Sequence, residues 1–246
     1  MLKKLLISLA SICFLIGLGV YIQGSFTNTK SETSSLETVW GEDISLSIVS
    51  IIEESKMDIY RSDPYNFFEN IVGQIEVKSG QGKGFFVSDD GLIITNKHVI
   101  NKENAKYTVI LPDGSEYLSQ IVYIDKQKDI ALLQIDTDST KVRPLDIQGE
   151  ENIIHIGDPI LTVGNPLTQN TRHGNIVNLG EEINENNYTQ EWLLQTDITL
   201  YSGDSGSPLI GNDGKVIGIN TAYDISKSNT SYAIEITAEM IEKFFK

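Results

Sequence analysis

The stretch Phe85-Phe86-Val87-Ser88-Asp89-Asp90-Gly91-Leu92-Ile93-Ile94-Thr95 sets two short apolar runs on either side of an Asp-Gly step. Runs of this length broken by Asp-Gly read as a β-hairpin, because that dipeptide suits the tight reversal between two strands. The pattern returns in both directions along the chain. Tyr107 to Leu111 leads through Pro112-Asp113-Gly114 into Tyr117 to Ile124, and Asn212-Asp213-Gly214 precedes Val216-Ile217-Gly218-Ile219. Hairpins in series predict an all-β domain, either a sandwich or a barrel. Only the last residues depart from it: Thr237 is placed to cap a helix whose apolar residues Met240, Ile241, Phe244 and Phe245 recur at helical spacing.

Upstream of the hairpins the composition changes. Lys3 and Lys4 precede an apolar stretch from Leu5 to Ile22 that comes close to spanning a hydrocarbon core of roughly 30 Å at about 1.5 Å per residue. Positive charge ahead of it predicts a single-pass membrane anchor over residues 1–24, with the rest of the chain outside the cytoplasm; the competing reading is a cleaved signal peptide and a secreted product. Residues 25–66 are assigned to a polar spacer and juxtamembrane segment, within which Ile44, Leu46, Ile48, Val49, Ile51 and Ile52 are spaced for a short helix or strand. Residues 67–246 are assigned to the hairpin domain. The net charge of −15 argues against nucleic acid, since phosphate binding needs clustered Lys and Arg. Cys13 is the only cysteine, so the fold is held without an intrachain disulfide.

Three motifs carry the chemistry. Gly203-Asp204-Ser205-Gly206-Ser207-Pro208 sets a serine in a glycine-flanked turn, where the amides of Gly203 and Ser205 can converge on a developing oxyanion. Taken alone it reads as an ordinary surface turn. It is not an α/β-hydrolase elbow, which needs glycine where Ser207 stands and a histidine after the serine. Of the three histidines, His98 follows the strand Leu92 to Thr95 and is expected at a rim. His155, before Gly157-Asp158, reads as a turn or core-edge residue, and His173 as a solvated loop residue. Asp129, just ahead of the apolar run Ile130 to Ile135, is the candidate carboxylate, with Asp125 and Asp136 as its neighbours. A hydroxyl is a poor nucleophile until an imidazole takes its proton, and the imidazole needs a carboxylate to fix its tautomer, so His98, Asp129 and Ser205 form the catalytic hypothesis.

These motifs, with Val163-Gly164-Asn165-Pro166-Leu167, Gln195-Thr196-Asp197 and Gly214 to Thr221, resemble the chymotrypsin-fold serine proteases of the HtrA/Deg type from about Phe67 to Lys246. The resemblance implies two six-stranded antiparallel β-barrels, with His98 and Asp129 from the first and Ser205 from the second. It also implies polypeptide substrates and, for the family, frequent trimers. By alignment with the family, Thr199 falls near the floor of the pocket for the residue before the cut, and Asn220, Thr221, Ala222 and Tyr232 to Ile234 form its walls. With no acid at Thr199, the pocket is expected to be neutral and to take small or medium apolar residues. No metal or cofactor is implied, because no His, Cys and carboxylate cluster shows ligand spacing.

The chain departs from the family in three ways. Relatives usually continue into a PDZ domain after the protease, and this chain is expected to lack one. Asp204 stands where the family has asparagine, and Ser207 where it has glycine. In zymogen-type relatives an aspartate at that position pairs with a newly cut N-terminus; here Asp204 is expected to take another partner, so that no N-terminal cleavage is needed, or else its loop stays unformed until something binds. The rival functional readings are a non-catalytic peptide-binding or chaperone module on the same fold, and an esterase.

Overall fold

All three Asp-Gly steps turn the chain where the sequence predicts. Gly91, Gly114 and Gly214 have φ values of 90°, 86° and 81°, a region that costs a residue with a Cβ and costs glycine nothing. The structure, a computed structural model, describes residues 44–61, 70–100, 105–137, 141–164, 171–185, 188–223 and 231–244. The N-terminal segment 1–24 lies outside them. No helix among the described residues is long and apolar enough to cross a membrane.

Among the described residues, twelve strands make two closed antiparallel barrels. The first contains β1 (Ile48–Arg61), β2 (Asn70–Phe86), β3 (Leu92–Thr95), β4 (Lys106–Ile110), β5 (Glu116–Ile124) and β6 (Ala131–Ile135), closed in the order β1-β2-β3-β6-β5-β4. The second contains β7 (Pro159–Val163), β8 (Thr171–Glu185), β9 (Tyr188–Thr196), β10 (Pro208–Ile210), β11 (Val216–Tyr223) and β12 (Ser231–Glu235), closed as β10-β11-β12-β9-β8-β7. Closure gives every strand a neighbour on both sides, which decides for barrels over the sandwich the hairpins also allowed.

One boundary needs correcting. Residues 25–66 are not a spacer throughout: β1 pairs with β2 from Ile48 to Arg61 and with β4 from Ser50 to Glu54, so it closes the first barrel. The barrel domain therefore begins well before Phe67. Its first described residues, Ile44–Ser47, form a 3-10 turn leading into β1.

Each barrel has its own core. Val49, Ile51, Phe86, Ile93, Val109 and Leu133 fill the first, and Ile160, Ile176, Leu194, Leu209, Ile217 and Ala233 the second. Phe85, Ile94 and Leu132 alternate along their strands with residues of the first core and are also fully buried, so β2, β3 and β6 are covered on both faces there. Each such side chain contributes about 1.5–3 kcal/mol when fully removed from water. The predicted terminal helix, α1, spans Ala238–Lys243; the Thr237 hydroxyl accepts from Met240 N at 3.2 Å. Although α1 follows the second barrel, Phe244 at its end stacks on Tyr123 of β5 with ring centroids 4.4 Å apart, tying the C-terminal end to the first barrel.

Candidate active site

Strand β3 ends at Thr95 and the chain turns through Asn96 into a 3-10 turn, Lys97–Ile100, that carries His98. Gly82 lets this turn sit close to β2, because a Cβ there would run into the side chain of Val99. Pairing of β3 with β6 runs from Leu92 opposite Gln134 to Thr95 opposite Ala131, which brings Asp129, two residues before β6, beside the turn. Asp129 is held from two sides: Asn96 Nδ2 donates to its carbonyl at 3.0 Å, and His98 N donates to its Oδ1 at 2.8 Å. Its Oδ2 lies 2.6 Å from His98 Nδ1. The carboxylate side chain is 8% exposed and the imidazole 46%, so a buried acid fixes a ring that is itself about half exposed.

Thr221 completes this arrangement from the second barrel. Its Oγ1 donates to Asp129 Oδ2 at 2.7 Å. The reason is a bulge: β11 pairs Asn220 with Ala233 and Ala222 with Tyr232, leaving Thr221 as the extra residue and turning it toward the other barrel.

Ser205 lies on the connection into β10, and its carbonyl accepts from Lys83 N at 2.8 Å. That amide is available because pairing of β2 with β3 runs only to Phe85 opposite Ile94, so the β2 edge opens at residue 83. Gly206 allows the approach: it has φ 88°, and a Cβ there would overlap Lys83 O and crowd Thr95 Oγ1. The amides of Tyr201, Asp204, Gly206 and Ser207 are all taken, by Asp204 Oδ2, Tyr201 O, Asn220 O and Asp204 O respectively. Those of Gly203 and Ser205 donate to no protein acceptor among the described residues, which leaves this pair for an oxyanion. Among the described residues no hydrogen bond joins Ser205 to His98, whose side-chain partner is Asp129.

Asp204 has its other partner. Lys83 Nζ donates to Oδ1 at 2.6 Å and Arg172 Nη2 to Oδ2 at 2.6 Å, and Tyr201 N donates to Oδ2 at 2.7 Å. Lys83 Nζ also reaches Gly203 O at 2.6 Å, and Arg172 Nη1 reaches Thr199 O at 2.7 Å. The Arg172 guanidinium lies 5.2 Å from the centre of the Tyr201 ring. One carboxylate thus meets two cations, a buried lysine from the first barrel and a partly buried arginine from the second. Burial is the main influence on Lys83, lowering its pKa from the ordinary 10.5; Asp204 opposes the shift and Arg172 adds to it.

On the substrate side, the side chain of Asn220 is buried and committed inward, donating to Thr162 Oγ1 at 2.8 Å and Ser207 Oγ at 2.9 Å. With Thr221 turned to Asp129, the side chains of Asn220 and Thr221 are both committed within the protein, and Ala233 of β12 lies in the second core. Thr199 is partly buried beside the loop. His155 occupies an exposed turn, its amide donating to Asp158 Oδ2 at 2.7 Å. His173 is exposed, on strand β8 rather than in a loop.

Lys83, Arg172 and the role of Thr221 left little trace in local sequence pattern. Available signals were the glycines on both sides of Lys83 and Gly164, where a Cβ would meet the Arg172 guanidinium.

The family described as trypsin-like peptidase domain matches residues 82–219. The chain is 37% identical over 175 residues to serine protease HTRA1 of Xenopus tropicalis, a match covering 69% of this chain and 36% of that protein. It is 36% identical over 163 residues to the probable periplasmic serine endoprotease DegP-like of Rhizobium meliloti (strain 1021), covering 65% and 31%. It spans about a third of the length of these curated relatives. Among solved structures, the HtrA-type protease AlgWS227A with decapeptide superimposes with a TM-score of 0.65 at 28% identity, over 81% of this chain and 64% of that one. The crystal structure of Deg5 gives 0.63 at 25%, over 87% and 93%.

Proposed function

This chain belongs to the HtrA-type trypsin-like serine proteases, and on that premise we propose that it is an endopeptidase cutting polypeptides outside the cytoplasm, with His98, Asp129 and Ser205 as its triad. The observation that carries the reading is Asp129, a buried carboxylate 2.6 Å from His98 Nδ1 that leaves the other ring nitrogen free to serve Ser205. His98 Nε2 takes the Ser205 proton as Oγ attacks the scissile carbonyl; Asp129 stabilises the imidazolium; the Gly203 and Ser205 amides receive the oxyanion. The imidazolium then protonates the leaving amine, and water, activated by the same ring, hydrolyses the acyl-enzyme. An extended substrate pairs with the β11 main chain around residues 220–222 as an added strand.

The pocket for the residue before the cut is neutral. Asp204 is engaged by Lys83 and Arg172 and so is not free to pair with a substrate Lys or Arg, and Thr199 brings no charge. Cleavage after Val, Ala or Leu is expected. Residues 1–24 hold the enzyme at the membrane in this reading, in keeping with a relative named periplasmic.

The test is digestion of unfolded casein by the full chain in detergent, beside its Ser205→Ala variant, with the fragments sequenced by mass spectrometry. Cutting that disappears in the variant and follows small apolar residues is expected. Equal cutting by both overturns the triad, and fragments ending in Arg or Lys overturn the pocket.

A further inference from the structure

Residue 83 makes three bonds to three consecutive residues of the nucleophile loop: Nζ to Gly203 O, Nζ to Asp204 Oδ1 and its amide to Ser205 O. The first and third pin the peptide planes on either side of the one that carries the Ser205 amide. That middle plane is itself held by Ser207 N on Asp204 O. A turn of the Gly203–Asp204 plane would break both the Lys83 contact and the bond from Asp204 N to Tyr201 O at 3.0 Å. Oxyanion stabilisation depends on amides aimed in advance at where charge develops, so the plane angles here are what the loop must keep.

Resting on the protease reading above, we propose that Lys83 is a positioning residue for the oxyanion hole: a lysine of the first barrel that clamps the loop of the second and gives it its active shape without a newly cut N-terminus. Arg172 is the second half of the clamp. It holds Thr199 O and the other oxygen of Asp204, so the loop is gripped at residues 199, 203, 204 and 205 from β8 and β2 together. Asp204 and Arg172 are the charged groups that face Lys83. The side chains of Lys83, Arg172 and Asp204 are 10%, 15% and 6% exposed, so the charges act through little solvent.

The clamp predicts an unusual pH signature. Deprotonation weakens the grip on Asp204 and Gly203 O, and it occurs below the ordinary lysine value of 10.5, because burial disfavours the ammonium. Turnover then falls on the alkaline side. Stability moves the other way in that window: the unfolded chain binds the proton and the folded one does not, so this group's contribution to stability rises with pH up to 10.5. A loss of kcat without loosening of the fold distinguishes a positioning role from a structural one.

The experiment measures kcat, KM and the unfolding midpoint of the full chain in detergent against pH for wild type, Lys83→Arg and Lys83→Met, on an unfolded-peptide substrate. Wild type is expected to lose kcat at alkaline pH with KM unchanged. In Lys83→Arg, whose guanidinium does not titrate in this range, the alkaline limb is expected to vanish. Lys83→Met is expected to fold, since Arg172 still countercharges Asp204, and to lose roughly 30- to 100-fold in kcat with KM within about threefold. An arginine variant that keeps the wild-type alkaline limb, or a methionine variant with wild-type kcat, overturns the proposal. Wild type that neither cleaves nor reacts with a fluorophosphonate fails the protease reading itself, an outcome separate from either.

Discussion

The two barrels hold their halves of the site differently. The first presents His98 on a short 3-10 turn, 46% exposed, with one carboxylate fixing its ring. The second presents Ser205 on a loop whose preceding residue, Asp204, is 6% exposed and receives two cations and an amide. The contrast follows from what each part must do. In the proposed mechanism the imidazole exchanges protons with nucleophile, leaving group and water and needs access, whereas the amides assigned to the oxyanion must not reorient as charge develops. Each half also borrows from the other barrel, Asp129 from Thr221 and the Ser205 loop from Lys83, so the site exists only where the barrels meet.

The largest break in this comparison is removal of the strand that closes the first barrel. A chain beginning at Phe67 lacks β1, which pairs with both β2 and β4, and is expected to give no cooperative unfolding transition and no activity; a soluble, active fragment would show that the base does not need a closed barrel. Next comes Asp129→Asn. It leaves the turn in place but favours the wrong His98 tautomer, and a loss of about 10⁴ in kcat is expected with little change in stability, read by steady-state kinetics beside a urea melt. Gly206→Ala strikes the pinned half: strain at positive φ and overlap with Lys83 O are expected to destabilise the protein by roughly 2–4 kcal/mol in the same melt, with turnover lost as the loop shifts. The smallest change is Thr221→Val. Loss of its bond to Asp129 Oδ2 is expected to reduce kcat/KM about tenfold, and an unchanged value would mean that the first barrel orients its acid unaided.

The elements that could be read from the sequence were local ones. Asp-Gly turns, the Thr237 cap and the short apolar runs each report on neighbours a few residues away, and all of them form as expected. Motif order also indicated which His, Asp and Ser to consider together. Strand β1 was harder to see because Glu53, Glu54, Ser55 and Lys56 interrupt its apolar pattern, and its place is decided by pairing with β2 and β4 far along the chain. The polar start of β8 similarly looked like loop because Thr171, His173 and Asn175 face outward. Lys83 is the clearest case: a lysine in a strand reads as solvent-facing, and only the fold brings Asp204, 121 positions away, to its ammonium. Thr221 depends on a single bulge that shifts the alternation of β11, which no local pattern marks.

The most direct test of the account is reaction of the full chain with a fluorophosphonate, the modified residue being mapped by mass spectrometry in wild type, His98→Ala and Ser205→Ala. The account predicts a single label on Ser205, slowed by several orders of magnitude in His98→Ala and absent in Ser205→Ala. No label, a label elsewhere, or equal labelling with and without His98 would contradict it.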